Sequence, residues 1–228
     1  LTLFVINNQA QLVGTLTDGD IRRQLVNNCP LSSSLHKIMH SNFRYLQQGK
    51  INIQKLHQYK EEEITLIPIL DENKHIVDII NLKTHRSYLP IDAVLMAGGK
   101  GERLRPLTEN TPKPLLKVGN KAIIDYNVER LILYGVKNIS VTVNYLKEQL
   151  EEHFSKPILS TQINCVREPQ FLGTIGSLKF VTKFHNDIIL VMNSDLFTNI
   201  NYEDFYLHFI EHNADMSVAC VPYTVPIP

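Results

Sequence analysis

The 228-residue chain has no tryptophan, only three cysteines and no surplus of charge: lysine plus arginine and aspartate plus glutamate both number 23. Without a basic excess it lacks the electrostatic footprint of a nucleic-acid binder or of a polybasic membrane contact, although a local positive pocket stays open to it. No apolar run approaches the ~20 residues that a membrane-spanning helix needs. The opening residues lack the charged-then-apolar pattern of a secretion signal. Cys29, Cys165 and Cys220 are far apart and form no C-x-x-C pair, so neither a disulfide framework nor a zinc knuckle is indicated. A reducing, cytoplasmic setting is expected. The chain opens at Leu1 with a strand already under way and ends Val225-Pro226-Ile227-Pro228, which reads as part of a longer polypeptide.

An apolar share of 43% suits a globular protein, and the length allows one large domain or two small ones. The densest pattern is Ala93-Val94-Leu95-Met96-Ala97-Gly98-Gly99-Lys100-Gly101-Glu102-Arg103-Leu104-Arg105-Pro106-Leu107-Thr108, closed by Thr111-Pro112-Lys113-Pro114. An apolar run of this kind reads as a buried parallel strand. Glycines directly after it let the backbone turn tightly and approach a ligand, with bare N–H groups free to hold phosphate oxygens. Arg103 and Lys113 bring positive charge to the same place, and the flanking prolines are expected to fix Lys113 outside the α region. The glycine spacing matches neither the Rossmann nor the P-loop pattern.

Around this stretch the chain divides into residues 1–90 and 91–228. The first part holds a weak repeat: Leu1–Ile6 and Leu12–Thr17, then Ile64–Ile69 and Ile76–Leu82, each predicted as two strands around a polar turn with a helix-like continuation. By themselves Thr17 and Asp20 read as the cap of a helix near Ile21. His36 and His40, at i and i+4, read as a solvated helix face. Residues 86–91 read as a linker. Beyond it, strands are predicted at 92–97, 139–143, 163–166, 188–192 and 216–221. Helices are predicted at 123–134, 146–154, 177–184 and 202–212. His208 and His212 match H-x-x-E-H, but face no second motif and read as an amphipathic helix end. This alternation predicts an α/β fold, an open, mostly parallel sheet with helices on both faces and ligands at the carboxyl ends of the strands. Asp195, three residues past the Ile188–Met192 strand, is a carboxylate at that end. It suits Mg²⁺ shared with phosphate oxygens, or alternatively a turn that caps the next helix.

The pattern Gly98-Gly99-x-Gly101-x-Arg103-Leu104-x-Pro106-Leu107-Thr108 with Pro112-Lys113-Pro114 resembles the signature of the nucleoside-diphosphate-sugar pyrophosphorylases (sugar-1-phosphate nucleotidyltransferases), in particular mannose-1-phosphate guanylyltransferase-like members. The resemblance implies a Rossmann-like nucleotidyltransferase fold for 91–228, comprising the NTP-binding half without the sugar-phosphate half. It implies an NTP-binding loop of Met96, Ala97, Gly98, Gly99 and Gly101. Arg103 would meet the departing pyrophosphate, Lys113 the reacting phosphates, and Asp195 a Mg²⁺ ion. Glu168-Pro169-Gln170-Phe171-Leu172-Gly173-Thr174 is similar to the family's base-reading loop, with Glu168 at the base-contact position and Gly173 and Thr174 beside it. A glutamate offers acceptors only, which fits the paired donors of guanine better than a pyrimidine edge. GTP is therefore the expected donor and a sugar 1-phosphate the acceptor, with uridylyl or thymidylyl transfer as the alternative. A nucleotide-sensing regulatory protein with an inactive transferase module is the alternative from another class. Residues 1–90 resemble a small α+β tandem pair of cystathionine-β-synthase-type (CBS) domains with an incomplete first copy. Gly14-x-x-Thr17-x-x-Asp20 matches their nucleotide element, implying an adenine nucleotide at Thr17 and Asp20, or a role in assembly as a homo-oligomer.

Overall fold

The computed structural model describes residues 1–170 and 172–222. The front segment starts with an antiparallel hairpin of β1 (Thr2–Ile6) and β2 (Leu12–Thr17), followed by α1 (Asp18–Val26). Next come β3 (Leu46–Gln47), α2 (Ile53–Glu61), β4 (Leu66–Leu70) and β5 (Ile76–Asn81), with β3 parallel and β5 antiparallel to the central β4. The two hairpins meet through their turns: Leu12 N donates to Lys74 O at 2.9 Å, and Gln11 Nε2 donates to Asn73 O at 3.0 Å. The helical continuation expected after the second hairpin is absent, and residues 82–84 form a turn closed by Thr84 N donating to Asn81 O. Nor do His36 and His40 share a helix. Leu35–Lys37 is one 3₁₀ turn, and His40 exchanges two backbone hydrogen bonds with Thr15.

The second segment consists of β6 (Asp92–Met96), the small hairpin β7 (Lys117–Val118) and β8 (Lys121–Ala122), α3 (Ile123–Leu133), β9 (Asn138–Val143), α4 (Lys147–His153), β10 (Ile163–Arg167), β11 (Ile189–Asn193) and α5 (Tyr202–Glu211). Its main sheet is fully parallel, in the order β10-β9-β6-β11. The chain therefore runs outward from β6 through β9 to β10, then returns to the other side of β6. That reversal makes the carboxyl end of β6 a topological switch point, where such sheets bind ligands. Ala93, Leu95, Val141 and Val143 pack in the core with Ile124, Val128 and Leu131 of α3 and Leu150 of α4. The i, i+4, i+7 spacing on α3 puts its apolar stripe on the sheet.

Two expected elements differ. The helix expected at 177–184 is a 3₁₀ stretch, Gly176–Phe180, and residues 216–221 form no strand. Apolar residues alone set the second expectation, and Met216, Val218 and Val221 remain exposed with no strand beside them among the described residues.

The 86–91 stretch is packed rather than loose. Arg86 N donates to Leu133 O, the last carbonyl of α3, and Leu89 N to Tyr134 O just past it, and Leu89 and Ile91 are buried. Gly135, at φ +76°, makes this approach feasible, because a Cβ there would sit 2.6 Å from Tyr88 Cα and 2.7 Å from Ser87 O. Polar contacts extend across the junction: Lys137 pairs with Asp78, Tyr88 donates to Asp78 at 2.9 Å, and His57 pairs with Glu203 at the start of α5. Burial of Asp78 is outweighed by the hydrogen bonds from Lys137 and Tyr88, so its carboxyl is held below the usual range.

Candidate active site

Strand register decides what meets at the switch point. Met96 lies opposite both Thr142 on β9 and Asn193 on β11, while Val143 lies opposite Arg167 on β10. The residues just beyond these pairs, Gly98, Asn144, Glu168 and Asp195, therefore emerge at one end of the sheet.

The glycine loop is folded back by its own signature residues. Gly101 is left-handed, at φ +63°, and a Cβ there would lie 3.0 Å from Thr108 Cγ2 and 3.2 Å from Lys113 Cβ. The buried Thr108 donates its hydroxyl to Gly101 O at 2.9 Å. Tyr145, just past β9, brings its hydroxyl to 3.1 Å from Thr108 O and 3.0 Å from Glu109 O, and Gln149 Nε2 donates to Asn110 O at 2.9 Å. These contacts tie residues 101–110 to the segment after β9 and to α4. Gly99 has no atom within 4 Å of where a Cβ would stand, which leaves its backbone open to a ligand.

Lys113 opens a 3₁₀ turn, Lys113–Leu115, rather than standing in extended backbone, so the exclusion expected from Pro114 does not hold. Hydrogen bonds from Leu115 N to Pro112 O and from Leu116 N to Lys113 O close that turn and outweigh the pre-proline preference. The turn still aims the lysine: its Nζ forms an ion pair with the Asp195 carboxylate. Arg103 is exposed on the 3₁₀ turn Glu102–Leu104 that follows Gly101.

Glu168 is only 5% exposed. Its backbone continues the β10–β9 pairing by donating to Val143 O, and its carbonyl accepts from Asn144 Nδ2 at 2.8 Å. Its carboxylate packs over Gly98, where a Cβ would lie 2.6 Å from Oε1, and no side-chain donor meets it among the described residues. Gly173, at φ +79°, and Thr174 follow on an open loop, while Phe171 of the same loop lies outside the described residues.

Thr17 and Asp20, by contrast, are committed to each other. Thr17 N and Oγ1 donate to Asp20 Oδ2, Asp20 N donates back to Thr17 Oγ1, and Arg23 pairs with Asp20. This is a reciprocal capping box at the start of α1. His208 and His212 stack at 4.1 Å on the exposed end of α5, and no group of three or more His, Cys, Asp or Glu forms a metal cage among the described residues.

Sequence reading missed Asn127, Arg130, Asn144 and Tyr145. Asn144 and Tyr145 carried a usable signal, since they directly follow an apolar strand at its carboxyl end. Asn127 and Arg130 lay hidden within an amphipathic helix.

A family model described as nucleotidyl transferase matches residues 92–228. The chain belongs to the nucleotidyl transferase family. Over 139 residues it is 31% identical to the mannose-1-phosphate guanylyltransferase catalytic subunit beta of Danio rerio, a match covering 59% of this chain and 39% of that protein. It is 30% identical over 118 residues to the D-glycero-alpha-D-manno-heptose 1-phosphate guanylyltransferase of Campylobacter jejuni, covering 52% of this chain and 53% of that one. The chain thus spans about two fifths to half of the length of these relatives.

Proposed function

We propose that the protein transfers a nucleotidyl group, preferentially from GTP, to a sugar 1-phosphate, giving a nucleoside-diphosphate sugar and pyrophosphate. The carrying observation is the meeting of Lys113 and Asp195 beside an open glycine loop at the switch point. The similarity to proteins named guanylyltransferases supports the same reading. In the proposed reaction an oxygen of the sugar phosphate forms a bond to the α-phosphorus. The bond from that phosphorus to the bridging oxygen breaks, and the electron pair leaves with pyrophosphate. The nucleophile is already an anion, so placement and charge compensation suffice. Backbone N–H groups of residues 98–101 would hold phosphate oxygens, Arg103 would stabilise the leaving pyrophosphate, and Lys113 would bridge the α-phosphate and the sugar phosphate.

With no group of three or more metal-ligating side chains among the described residues, Asp195 suits a Mg²⁺ ion that takes its other ligands from phosphates and water better than a protein-only cage. Asp195 would hold that ion, which when bound supplies further positive charge to the triphosphate. Binding requires Lys113 to release Asp195 and turn to phosphate. Glu168, buried against Gly98 and lacking a side-chain donor among the described residues, suits the two adjacent N–H donors of guanine. We read residues 1–90 as a CBS-type regulatory pair on the strength of their two hairpins, with an adenine nucleotide competing for the Thr17–Asp20 contacts.

A thermal-shift panel of GTP, UTP, dTTP, CTP and ATP with Mg²⁺ tests this reading. A ligand at a hundred times its dissociation constant adds ~2.7 kcal/mol. Stabilisation by GTP that is weakened in Asp195→Ala is expected. Stabilisation by UTP or dTTP instead would overturn the role of Glu168. Stabilisation by ATP alone, unchanged in Asp195→Ala, would favour a sensing module over a transferase.

A further inference from the structure

The segment that carries Asp195 is not held by the sheet alone. β11 ends at Asn193, and Ser194 N donates to Met96 O. From there to the start of α5 at Tyr202 the chain has no regular structure. Its carbonyls are nevertheless taken at alternate positions by two side chains of α3. Asn127, 3% exposed, donates from Nδ2 to Ser194 O at 3.1 Å and to Leu196 O at 2.8 Å. One turn further along, Arg130 donates from its two terminal nitrogens to Thr198 O and Ile200 O. Asp195 thus lies between two carbonyls held by a single amide. Two aromatic contacts flank the clamp: Phe197 sits edge-on to Tyr126 at 5.7 Å between centroids, and the Arg130 guanidinium lies 5.2 Å from the Tyr202 ring centroid.

The chemistry of the two side chains suits the task. A primary amide offers two hydrogens on one nitrogen, so Nδ2 of Asn127 can serve the carbonyls on both sides of Asp195. The planar guanidinium fork spans the next pair without bending, which a lysine cannot do. Both stand on the most firmly packed helix of the molecule, since Ile124, Val128, Leu131 and Ile132 anchor α3 on the sheet. A loop left to itself would sample many backbone states at the position where a carboxylate must meet a metal and a lysine.

We propose that Asn127 and Arg130 are positioning residues that lock the 194–200 connection to α3 and so aim the Asp195 carboxylate for metal-dependent nucleotide binding. This rests on the transferase reading given above. Its test combines hydrogen exchange across residues 194–200 with GTP affinity measured in Mg²⁺ and in a metal chelator. The variants are Asn127→Leu, Arg130→Lys and, as a control for simple loss of packing, Val128→Ala. Asn127→Leu is expected to speed exchange of the connection at least tenfold and to weaken GTP binding in Mg²⁺ at least tenfold, leaving chelator affinity within about twofold. A tenfold change corresponds to ~1.4 kcal/mol. Arg130→Lys, which keeps the charge and loses the fork, is expected to act in the same direction with smaller size. Val128→Ala is expected to lower the melting temperature without either selective effect. Equal exchange in Asn127→Leu and Val128→Ala overturns the proposal, as does a loss of GTP affinity that is the same with and without metal. If Asn127→Leu does not fold, Arg130→Lys decides by the same two criteria. Absence of any nucleotide binding by the unaltered protein would refute the transferase reading, whereas normal GTP binding with an unchanged connection in the variants would refute the clamp alone.

Discussion

Helices α1 and α3 both follow a strand and are similar in length, yet they are held in opposite ways. α1 has a full capping box and not one buried residue. α3 has no side-chain cap, because Ala122 occupies that position, and it buries Ile124, Asn127, Val128, Leu131 and Ile132. The first helix is secured at its terminus, the second along its length. Terminal hydrogen bonds are local and suffice for a short surface element. A helix that must hold a distant loop in place needs packing along several turns, which makes it rigid enough to serve as a frame. The same division separates the segments: the second carries the larger core, whereas the first hairpin leaves Leu3 and Ile6 exposed and α1 leaves Leu25 and Val26 exposed.

The largest expected effect would confine the chemistry to the second segment. Replacing Lys113 with Ala in the full-length protein should lower nucleotidyl transfer by ~10²–10³-fold, the scale on which losing one charge-stabilising donor acts. Leu25→Ala on α1 should leave turnover unchanged. Steady-state rates of pyrophosphate release compare the two, and a Lys113 variant with near-normal kcat would remove the lysine from the reaction. A second contrast concerns stability. Leu131, wholly buried on α3, should cost ~2–5 kcal/mol when cut to Ala. Leu25, 49% exposed, should stay within ~0.5 kcal/mol on the same change. Denaturant unfolding of both variants measures this, and equal costs would mean that α1 packs on something in solution.

Much of the second segment was legible in the sequence because parallel strands buried on both faces are continuous apolar runs, and such runs ended one after another in polar residues. Gly98 and Asp195 were found as residues following those runs, Lys113 by the two prolines around it, and Glu168 through the resemblance of its loop to the family's base-reading loop. Their meeting at one end depended on strand order, which no local pattern contains. Asn127 and Arg130 stayed hidden for a physical reason: a buried amide and a guanidinium that bind backbone carbonyls need no partner side chain, so nothing elsewhere in the sequence pairs with them. Residues 177–184 and 216–221 misled because apolar content was read without neighbours to bury it. At Thr17 and Asp20 two readings used the same letters, and the structure shows the capping contacts.

Exchanging the caps would sharpen the contrast at smaller cost. Thr17→Ala removes the capping hydroxyl of α1 and should destabilise by ~0.5–2 kcal/mol. The loss should show as faster hydrogen exchange confined to α1, because no residue of that helix is buried. If the whole front segment loosened instead, α1 would be part of its core after all.

The smallest effect concerns the start of α3, which compensates for its missing cap with a charge. Asp125 in its first turn accepts a hydrogen bond from His153 Nε2 at the end of α4, at 2.7 Å. That hydrogen bond raises the His153 pKa above the ordinary 6.5, with burial opposing it in part. A histidine whose folded pKa is raised contributes stability that is complete below the unfolded value and fades as pH climbs through the folded one. Asp125→Asn should therefore destabilise the protein at about pH 5.5 more than at about pH 8.5, by under ~1 kcal/mol for a pair this close to solvent. Unfolding curves of the two proteins at both pH values supply the difference. A gap that is the same at both would mean that Asp125 acts on the helix dipole of α3 without its histidine, since a carboxylate near the N-terminal N–H groups stabilises them at either pH. A gap that widens with rising pH would exclude the charged pair, because deprotonation of His153 can only weaken it.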